Sequence, residues 1–588
     1  MRYLVLKIIA ITLFLTGCGS TTIQSTHISS SSELPMGNGV VAVQVINNTD
    51  RLASLHKGWT EIIVIRTDNM DELKQIAIDA AKAKAASKGK AFDPDKVDWD
   101  PEIYSLAPNN MGVIDSQLFV GSMPEGTYMI SSLYSFFSNG DLSSWLSMPV
   151  YQAAGTFEVK ENRFTNLGSL VFQPLLNVKE KSFWNNRSSQ KAYVTRLNDT
   201  QDFTRFILSH YPNLSENINF EDTLSWTADD LNTLRQKLGE LSRENAYGER
   251  ASYLNTGAMG AIAARFGQLK ILQEDGEWIQ NDLPTNGQLS SVIELGNTIA
   301  VGSERGLVFV KESQAQDWTE LQPVAAKEAI VWFGQGVDKH YALTSEAMDY
   351  HVYEFESLTT PWKHVGNFKK KNKNDWLVQN GGLFPWIKAD GSLRVINDNK
   401  VYDYSSTTGA WTSTKTNSLV KLDKLRSGAL VGLEVSQWDG VGDQVYSLDD
   451  GQTWHDINRN LKLFGDAKSD TSLPTILADN TVVTVARIRK SSAKSSELKI
   501  VTAAAVDTVS KNDWQAHGLT QDTCHTLLPK LTYQQTLFFL CDKGEVISTK
   551  DFGETWQTEF DIDLDDMQKK FQAMLEAMKE QESESEVE

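Results

Sequence analysis

The sequence predicts a mainly β protein with an N-terminal β-sandwich, a short helical linker region, a C-terminal seven-bladed β-propeller and a terminal acidic helix. Three observations predict this fold class. Short β-type apolar runs, separated by turn residues, fill much of the N-terminal third of the chain. A tryptophan recurs about every 46 residues through the second half. The C-terminal segment combines a helical apolar stripe with an excess of acidic residues.

The length and charge of the chain limit its organisation and its partners. At 588 residues, the chain is long enough for about three or four domains with buried cores. Its formal net charge of −20 at pH 7 repels the phosphate backbone of nucleic acids. We therefore expect several cores and no nucleic-acid partner.

The N-terminus has the layout of a secretory signal. Two cationic residues precede an apolar run over residues 8–15, which is too short to span a bilayer. The sequence Leu15-Thr16-Gly17-Cys18 ends this segment and resembles the lipobox of bacterial lipoproteins. The resemblance implies that residues 1–17 are a signal peptide that is removed and that Cys18 is lipidated. A plain signal peptide with an incidental cysteine is the alternative.

The residue after the lipobox bears on where the protein is located. Gly19, rather than aspartate, follows Cys18. In enterobacterial-type lipoproteins this implies transport to the outer membrane. The resemblance thus implies a protein attached to the membrane by its lipid and facing the periplasm or the cell surface.

Residues 18–38 are predicted to form a flexible tether. They are rich in serine and threonine and have no apolar period, so they offer little surface for a core. A tether would set the distance between the lipid and the first folded domain.

Residues 39–175 are predicted to form a β-sandwich. Short β-type runs such as 40–45 are interrupted by an Ala- and Lys-rich helix over residues 71–88. The turn at 123–128, followed later by the run at 155–159, resembles the prealbumin-like sandwiches of bacterial lipoproteins. The resemblance implies a module that mediates contacts rather than chemistry.

Residues 176–250 have helical spacing and are predicted to form a helical linker. The segments 200–211 and 227–245 favour helices, and the second begins at Thr227 with two aspartates in its first turn. The second segment also has an apolar stripe, which we expect to pack in a core between the two β domains; a partner-binding face is the alternative. The stripe consists of Leu231, Leu234, Leu238 and Leu241.

Residues 251–560 contain an internal repeat. Each unit consists of three β-type runs separated by turns, and it closes with a tryptophan that begins a fourth run. The spacing is near the length of a four-stranded propeller blade, and seven units predict about seven blades. The closing tryptophans are Trp278, Trp318, Trp362, Trp411, Trp454, Trp514 and Trp556.

Two of the units carry the pattern S/T-x-D-x-G-x-T-W before the fourth run. Asp and Thr side chains at this spacing can close a turn by bonding local backbone N–H groups, and glycine adopts a backbone conformation that other residues resist. The pattern resembles the Asp-box of sialidase-type and photosystem-assembly-type β-propellers. The resemblance implies a structural role at the blade periphery for Ser447, Asp449, Gly451, Thr453, Trp454, Asp551, Gly553, Thr555 and Trp556.

Cys524 and Cys541 are the two cysteines other than Cys18. They flank a polar turn near residues 532–533, and a hairpin centred on this turn places them opposite one another. We expect a disulfide, which an oxidising periplasm or cell surface would permit. Two buried thiols in one blade are the alternative.

Residues 561–588 are predicted to form an acidic amphipathic helix and a disordered tail. Ten acidic residues stand against three lysines in this segment. The helix either packs on the propeller or offers a Met-rich face to a partner. Its apolar stripe consists of Leu564, Met567, Phe571, Leu575 and Met578.

The sequence contains no recognisable catalytic motif, although the Asp-box resemblance makes glycoside hydrolysis the first reaction to consider. A sialidase needs an arginine triad, a Tyr–Glu nucleophile pair and an Asp acid/base. Its Phe/Tyr-Arg-Ile-Pro motif does not match the sequence around Arg265. The remaining candidates are scattered arginines whose convergence the spacing cannot show, namely Arg305, Arg394, Arg426 and Arg487.

We assign no catalytic residue, no cofactor and no metal site from the sequence. It lacks a phosphate-binding loop, a Gly-x-Ser-x-Gly turn and a His-Glu-x-x-His helix. Isolated histidines such as His340, His351, His364 and His455 are expected to be loop or core groups rather than ligands.

Two functional hypotheses follow. The first is an outer-membrane-anchored lipoprotein that acts as a non-enzymatic protein-binding or assembly scaffold in the cell envelope through its propeller. The alternative is a glycan-binding or glycoside-hydrolysing propeller that uses the central funnel. Arginines converging in the funnel beside a Tyr–Glu pair would favour the alternative. The tryptophans that could stack on sugars are Trp332, Trp376, Trp386 and Trp438.

Overall fold

Strands dominate the structure, which confirms the predicted mainly β fold class. The signal peptide, Cys18, Trp376 and Trp438 lie outside the described residues, and no helix among the described residues is long and apolar enough to cross a membrane. The computed structural model describes residues 22–49, 58–138, 140, 143–175, 191–198, 200, 202–255, 258–312, 317–369, 382–434, 443–457, 472–489, 496–504, 514–521 and 523–585.

The N-terminal part of the described chain contains twelve strands. Most are short runs of β-branched or aromatic residues, as expected for pleated and half-buried surfaces. In chain order they are Ile23–Ser25 (β1), Asn38–Asn47 (β2), Glu61–Arg66 (β3), Ile103–Leu106 (β4), Pro108–Asn109 (β5), Ser116–Pro124 (β6), Gly126–Ser138 (β7), Ser143–Pro149 (β8), Thr156–Val159 (β9), Arg163–Leu175 (β10), Lys191–Leu197 (β11) and Asn219–Leu224 (β12).

These strands form two packed sheets. The first has the order β1–β4–β3–β7–β8, and β9 also pairs with β7. The second has the order β11–β10–β2–β6–β5, and β12 also pairs with β10. Apolar side chains from both sheets, such as Val43, Val64 and Leu133, share one buried core. Two sheets packed face to face around one core form a β-sandwich.

The described helices lie between or beside the strands. The predicted Ala- and Lys-rich helix is present as the first of them, and two short 3-10 turns lie at Pro94–Lys96 and Pro529–Leu531. The helices are Met70–Ser87 (α1), Tyr151–Ala154 (α2), Asp202–His210 (α3), Pro212–Ser215 (α4), Asn232–Glu244 (α5) and Leu564–Ser585 (α6).

Part of the predicted tether, residues 18–38, is ordered, which corrects the expectation of a flexible segment. β1 pairs in parallel with β4, and Thr26 Oγ1 donates a hydrogen bond of 2.8 Å to the carbonyl of Ser105. Thr26 and Ile28 are buried. The sequence gives no sign of this strand because backbone groups make the pairing at a sheet edge, and this needs no apolar period.

The predicted helical linker, residues 176–250, also supplies strands. β11 and β12 belong to the second sheet, and α3 packs on the outer face of that sheet through Phe206 and Ile207. The second predicted helix begins at Asn232 rather than at Thr227. Asp229 does not lie within the helix; its carboxylate accepts hydrogen bonds from the backbone N–H of Leu231 and from the Arg235 side chain.

The apolar stripes of α5 and α6 cover each other, which corrects both expectations for these helices. Leu238 of α5 and Met567 of α6 lie in one buried cluster, and Phe571 of α6 stacks on Tyr193 with ring centroids 5.0 Å apart. The α5 stripe is therefore covered by α6 rather than held between two β domains. The α6 stripe is covered by α5 and β11 rather than by the propeller-type sheets.

The C-terminal part contains seven four-stranded antiparallel sheets among the described residues. Each sheet uses four consecutive strands, as in a propeller blade. The strands are Gly248–Tyr253 (β13), Ala258–Ala264 (β14), Gln268–Gln273 (β15), Trp278–Asp282 (β16), Leu289–Leu295 (β17), Thr298–Ser303 (β18), Val308–Glu312 (β19), Thr319–Leu321 (β20), Ala329–Gln335 (β21), His340–Glu346 (β22), Asp349–Phe355 (β23), Lys363–Lys369 (β24), Leu383–Ile387 (β25), Leu393–Asn397 (β26), Lys400–Ser405 (β27), Ala410–Lys415 (β28), Leu419–Lys424 (β29), Leu430–Glu434 (β30), Gln444–Ser447 (β31), His455–Asp456 (β32), Thr475–Ile476 (β33), Thr481–Arg489 (β34), Ser496–Ala504 (β35), Gln515–Leu519 (β36), Cys524–Leu527 (β37), Leu537–Cys541 (β38), Val546–Thr549 (β39) and Gln557–Phe560 (β40).

Apolar cores join each of these sheets to the next and the last sheet to the first. Each closing tryptophan lies within the fourth strand of its sheet or directly before it, as the repeat predicts. The number of blades in the whole chain stays a prediction; the described residues form seven sheets of the blade type. One buried pair from each core is Leu269 with Val301, Val308 with Ile330, Tyr341 with Val395, Ile396 with Leu430, Val431 with Val482, Val483 with Phe539, and Phe538 with Ile262.

Candidate functional site

The first strands of the propeller sheets enclose a central cavity of about 630 Å³, which we call the funnel. A second cavity of about 320 Å³ adjoins it and shares several lining residues, including Arg250, Trp332 and Lys530. Cavities of this size match those that bind small ligands or short peptide segments. The lining comes mainly from β13, β17, β21, β25 and β29.

A loop of the sandwich closes the funnel at the end where the first strands begin. Val113, Ile114 and Asp115 of this loop line the cavity. Asp115 Oδ2 lies 2.8 Å from Arg250 Nη2, near the start of β13. Burial opposes ionisation of Asp115, but Arg250 and Arg265 outweigh it and hold the pKa of that carboxyl below its ordinary value. The funnel therefore has a floor made by an ion pair between the two domains.

The buried carboxylate of Glu304 fixes this loop to the propeller. It lies in the turn after β18 and accepts hydrogen bonds from Ile114 N at 2.8 Å, from Ser116 Oγ at 2.9 Å and from Gln44 Nε2 at 3.0 Å. Arg305 N donates to the carbonyl of Gly112 at 2.6 Å. These contacts place the loop in a single position over the funnel.

Aromatic side chains form part of the funnel wall. A register shift in β21 between Ile330 and Trp332 allows both Val331 and Trp332 to line the cavity, although neighbouring residues of a regular strand point to opposite faces. A Cβ atom at Gly334 would lie 2.1 Å from the Trp332 ring, so only glycine leaves room for the ring in this position. Phe384 lines the same cavity from β25.

The other end of the funnel carries lysines that are paired with carboxylates. Lys388 follows β25, Lys424 ends β29, and Lys530 lies in the 3-10 turn after β37. Lys530 Nζ lies 2.8 Å from Asp423 Oδ1, and Lys388 Nζ lies 3.1 Å from Asp390 Oδ2. Lys424 donates to the carbonyl of Ile387. This end is polar, but its charges are balanced within the protein.

The scattered arginines do not gather in the funnel. Arg250 is the only arginine among the described lining residues. Arg265 is buried and donates from Nη2 to the carbonyl of Thr49 at 2.9 Å, while Arg394 pairs with Asp403 at 2.7 Å. Arg305 is buried at the loop of the sandwich, Arg426 donates to the carbonyl of Met259, and the Arg487 side chain is outside the described set.

Among the described residues, Tyr104 and Glu102 form a hydrogen-bonded Tyr–Glu pair in the sandwich, and Tyr353 and Glu328 form one in the propeller, away from the funnel lining. Tyr353 Oη donates to Glu328 at 3.0 Å, and Thr344 donates to the same carboxylate. Burial raises the pKa of Tyr353, and the neighbouring Glu328 carboxylate adds to this. The pair lies within the third sheet, and no arginine triad accompanies it among the described contacts.

The candidate tryptophans occupy different environments. Trp332 is partly exposed on the funnel wall, whereas Trp386 is buried in the core between the fourth and fifth sheets. Trp332 can therefore meet a ligand, and Trp386 serves packing.

The two predicted Asp-boxes form closed turns at the edges of their sheets. Asp449 accepts hydrogen bonds from Thr453 N at 2.9 Å and from Thr453 Oγ1 at 2.6 Å. Asp551 accepts the matching bonds from Thr555 at 2.9 and 2.6 Å. Ser447 Oγ accepts from Gly451 N at 2.9 Å, and the φ angles of Gly451 and Gly553 are 77° and 90°. None of the Asp-box residues, including Trp454 and Trp556, lines the funnel.

The predicted disulfide is confirmed. Cys524 of β37 and Cys541 of β38 are directly paired in the register of the last sheet, and their sulfurs are bonded. Both residues are buried in the core between the sixth and seventh sheets. The bond fixes the first two strands of the last sheet together.

The sequence does not predict the residues that form the floor of the funnel. The loop residues Val113 and Asp115 are far in sequence from Arg250 and Glu304, and the four belong to no motif. The one available signal is the turn-type residues Asn110 and Gly112, which lie between two strands. That signal predicts a loop but not the surface that it covers.

Comparisons with known proteins give only distant similarities. No protein-family model matches the chain, and no curated protein matches it. Among solved structures, YCF48 bound to D1 peptide is 13% identical over 48% of this chain and 84% of that chain, with a TM-score of 0.34. YCF48 from Cyanidioschyzon merolae is 10% identical over 52% and 95%, with a TM-score of 0.36. The Cps50 (Swd1) β-propeller domain from Myceliophteria thermophila is 12% identical over 52% and 97%, with a TM-score of 0.35.

Proposed function

We propose that the protein is an outer-membrane-anchored lipoprotein that acts as a non-enzymatic scaffold and binds a protein partner of the cell envelope through its propeller. The funnel is the observation that carries this proposal. It is closed on one side by the sandwich, it has an aromatic wall, and its open end is polar and charge-balanced. Aromatic anchors surrounded by polar residues are typical of sites that bind polypeptide segments.

The funnel lining suits an extended segment of polypeptide. Ser252, Ser291, Asn255 and Gln335 supply hydrogen-bonding groups along the wall, where peptide N–H and C=O groups need partners. Trp332 and Phe384 supply apolar area for a side chain. The described lining contains no histidine or cysteine. Of its four carboxylates, Asp115 and Asp423 are paired with cations, Glu294 accepts a hydrogen bond of 2.7 Å from Asn255 N, and Glu249 is the fourth. These features support binding rather than covalent chemistry.

The lipid anchor is proposed from the lipobox resemblance around Cys18. β1 begins at Ile23, so at most a few residues, each spanning about 3.5 Å, separate Cys18 from the sandwich. An anchored protein would therefore lie close to the membrane. Replacement of Cys18 by serine is expected to move the protein from the detergent phase to the aqueous phase in a phase-partitioning experiment. Equal partitioning of both forms would contradict the anchor.

Site-specific photo-crosslinking in the native envelope tests the scaffold. A photoreactive amino acid at Gln335, exposed at the funnel end of β21, is expected to capture one envelope protein. The same amino acid at Gln452, exposed in the Asp-box turn, is the matched control and should not capture it. The capture should be lost in a Trp332→Ala, Phe384→Ala variant. Identical products from both positions would overturn the funnel as the binding site.

A glycan-binding or glycoside-hydrolysing propeller is the second candidate, and the partly exposed Trp332 on the funnel wall favours it. Sugar rings can stack on the exposed face of an aromatic side chain such as Trp332. A screen of sialosides and other glycosides, read by tryptophan fluorescence and by hydrolysis, separates the two functions. Saturable glycan binding that is lost in Trp332→Ala would support the glycan candidate, whereas no response to any glycan would support the scaffold.

A further inference from the structure

Three polar side chains of the third propeller sheet converge on one point at the protein surface. His351 lies in β23, and His364 and Asn367 lie in the neighbouring β24. His351 Nδ1 and His364 Nε2 each lie 2.7 Å from Asn367 Oδ1. The two imidazole rings are 5.7 Å apart between centroids.

A register shift places these three side chains on the same face of the sheet. His351 is paired with Asn367, and Tyr353 is paired with His364, with the shift between Val352 and Tyr353. In a regular strand, residues three apart such as His364 and Asn367 would point to opposite faces. The extra residue in β24 brings them together. Bulges of this kind often re-aim a side chain next to a functional site.

A carboxylate lies on the other side of the His351 ring. Glu346 Oε2 is 3.3 Å from His351 Nε2, and Glu346 Oε1 is 2.9 Å from Lys327 Nζ. Histidines that bind metals commonly direct their second ring nitrogen at a carboxylate, which fixes the tautomer of the ring. Here the nearby Glu346 carboxylate favours the tautomer with the proton on Nε2, and in that tautomer Nδ1 is able to act as a ligand.

With the Asn367 oxygen facing the two rings, hydrogen bonding alone gives a less favourable arrangement for a neutral ring. If neutral His351 donates from Nδ1 to Asn367, its Nε2 lone pair faces the negative Glu346 carboxylate. A cation at the convergence point removes this conflict, because Nδ1 then acts as a ligand and Nε2 carries the proton. An Asn367 amide turned so that Nδ2 donates to the ring would also remove it, and the experiment below separates these two arrangements.

We propose that His351, His364 and Asn367 bind a divalent transition-metal ion of the Zn²⁺, Cu²⁺ or Ni²⁺ class. Imidazole nitrogen is a preferred ligand of these ions, whereas Mg²⁺ and Ca²⁺ prefer sites made of oxygen. His364 and Asn367 are exposed, so they can separate to the wider ligand spacing that a bound ion requires, and solvent can complete the coordination. The site is independent of the funnel and of the proposed scaffold.

Calorimetric titration of the full chain, purified without a histidine tag, tests the site. At pH 7.5, Zn²⁺, Cu²⁺ and Ni²⁺ are expected to bind at this site and Mg²⁺ is not. His364→Ala should weaken binding at least tenfold, and Glu346→Gln should weaken it about tenfold. His455→Ala is the matched control, because His455 is exposed and stacks on Tyr446 at 5.1 Å in the fifth sheet. It should leave binding at the third sheet unchanged.

Two further measurements distinguish a metal site from a hydrogen-bonded cluster. Asn367→Asp should tighten metal binding, since a carboxylate oxygen is a stronger ligand than an amide oxygen. The electron paramagnetic resonance spectrum of bound Cu²⁺ should show coupling to two imidazole nitrogens and should lose one in His364→Ala. Equal affinity of the unsubstituted chain and His364→Ala, with circular dichroism showing both folded, would overturn the proposal in favour of a cluster held by hydrogen bonds alone.

Discussion

Asp551 shows how a single side chain fixes a turn of the propeller. Its carboxylate accepts hydrogen bonds from Thr555 and Thr549, and the bond from the Thr555 hydroxyl is the main reason that its pKa falls to about 2. Burial opposes the same change at Asp449, but bonds from Thr453 and Ser447 lower the pKa of that group to about 2 as well. Both carboxylates are therefore ionised in the folded protein near neutral pH.

Asp551→Asn is expected to reduce the acid sensitivity of the protein. The pKa of Asp551 is lower in the folded state than the ordinary value near 3.9. The stabilisation is therefore complete above about pH 4 and is lost as the pH falls towards about 2. The melting temperature of the variant should be lower than that of the parent at pH 7, and the difference should shrink at pH 3. Thermal unfolding followed by circular dichroism at both pH values checks this.

Glu554→Gln is the control for this prediction. Glu554 is exposed in the same turn, and only its backbone N–H contributes to the turn, through a bond to the carbonyl of Asp551. Its melting temperature should follow that of the parent at both pH values. An Asp551→Asn variant with the same pH profile as Glu554→Gln would contradict the prediction.

At the residue scale, the sequence predicts contacts that are local in the chain. The bonds within the two S/T-x-D-x-G-x-T-W turns join residues that lie within four positions of one another, so the motif contains both partners of each bond. The metal-type cluster of His351, His364 and Asn367 is different, because two strands and a register shift create it. Register shifts depend on packing between strands, and a single sequence does not show that packing.

At the scale of elements, the hairpin of β37 and β38 depends on its disulfide. The bond between Cys524 and Cys541 closes a segment with a sequence separation of 17. A disulfide that closes a loop of this length is expected to add about 3 kcal/mol to the free energy of unfolding, because it restricts the unfolded chain. Reduction by dithiothreitol should therefore lower the melting temperature, and a Cys524→Ser, Cys541→Ser variant should melt like the reduced parent. If the variant and the oxidised parent had the same melting temperature, the result would contradict this expectation.

The stability of the fold also depends on the packing of α5 against α6. The Phe571 side chain is fully buried and stacks on Tyr193. Phe571→Ala is expected to cost about 3–5 kcal/mol, because it leaves a cavity between the helix and β11. Gln572→Ala, exposed on the same helix, should cost little. Hydrogen exchange of the backbone amides checks this. Exchange in α5 and α6 should be faster than in the parent for Phe571→Ala but not for Gln572→Ala.

Elements with their own period were predicted well, and elements that depend on distant partners were not. The repeated tryptophans place the fourth strand of every sheet, and the paired cysteines place the last hairpin. The apolar stripes of α5 and α6 were recognised as stripes, but the sequence could not show that they face each other. β1 was missed because its pairing depends on the free edge of β4, which comes much later in the chain.

At the scale of the whole molecule, the sandwich and the propeller meet through polar groups that are buried between them. Glu304, Ser116 and Gln44 are buried at this junction, and Asp115 pairs with Arg250 beside them. Buried polar groups of this kind are stabilising only as a complete set, since a donor without a partner has lost its water. The junction therefore fixes the position of the loop that closes the funnel, and the shape of the funnel depends on both domains.

Glu304→Ala is expected to loosen this junction. It leaves the N–H of Ile114 and the hydroxyl of Ser116 without this acceptor, at about 1–3 kcal/mol for each buried donor, whereas Gln44 Nε2 keeps its bond of 2.7 Å to Ser116 Oγ. The variant should melt at a lower temperature and should be cleaved by protease in the loop around Val113. Glu277→Ala, exposed in the turn before β16, is the control and should behave like the parent.

The pH dependence of the same group gives an independent test of the junction. Burial raises the pKa of Glu304, so its contribution to stability is complete below the ordinary pKa of a glutamate and is lost as the pH rises through the raised value. Glu304→Gln cannot ionise and should remove this part of the pH dependence while keeping an acceptor oxygen for Ile114. Protease cleavage near Val113 should therefore increase with pH in the parent and stay constant in Glu304→Gln. A parent whose cleavage does not change with pH, or a Glu304→Ala variant as resistant as the parent, would show that other contacts hold the two domains together.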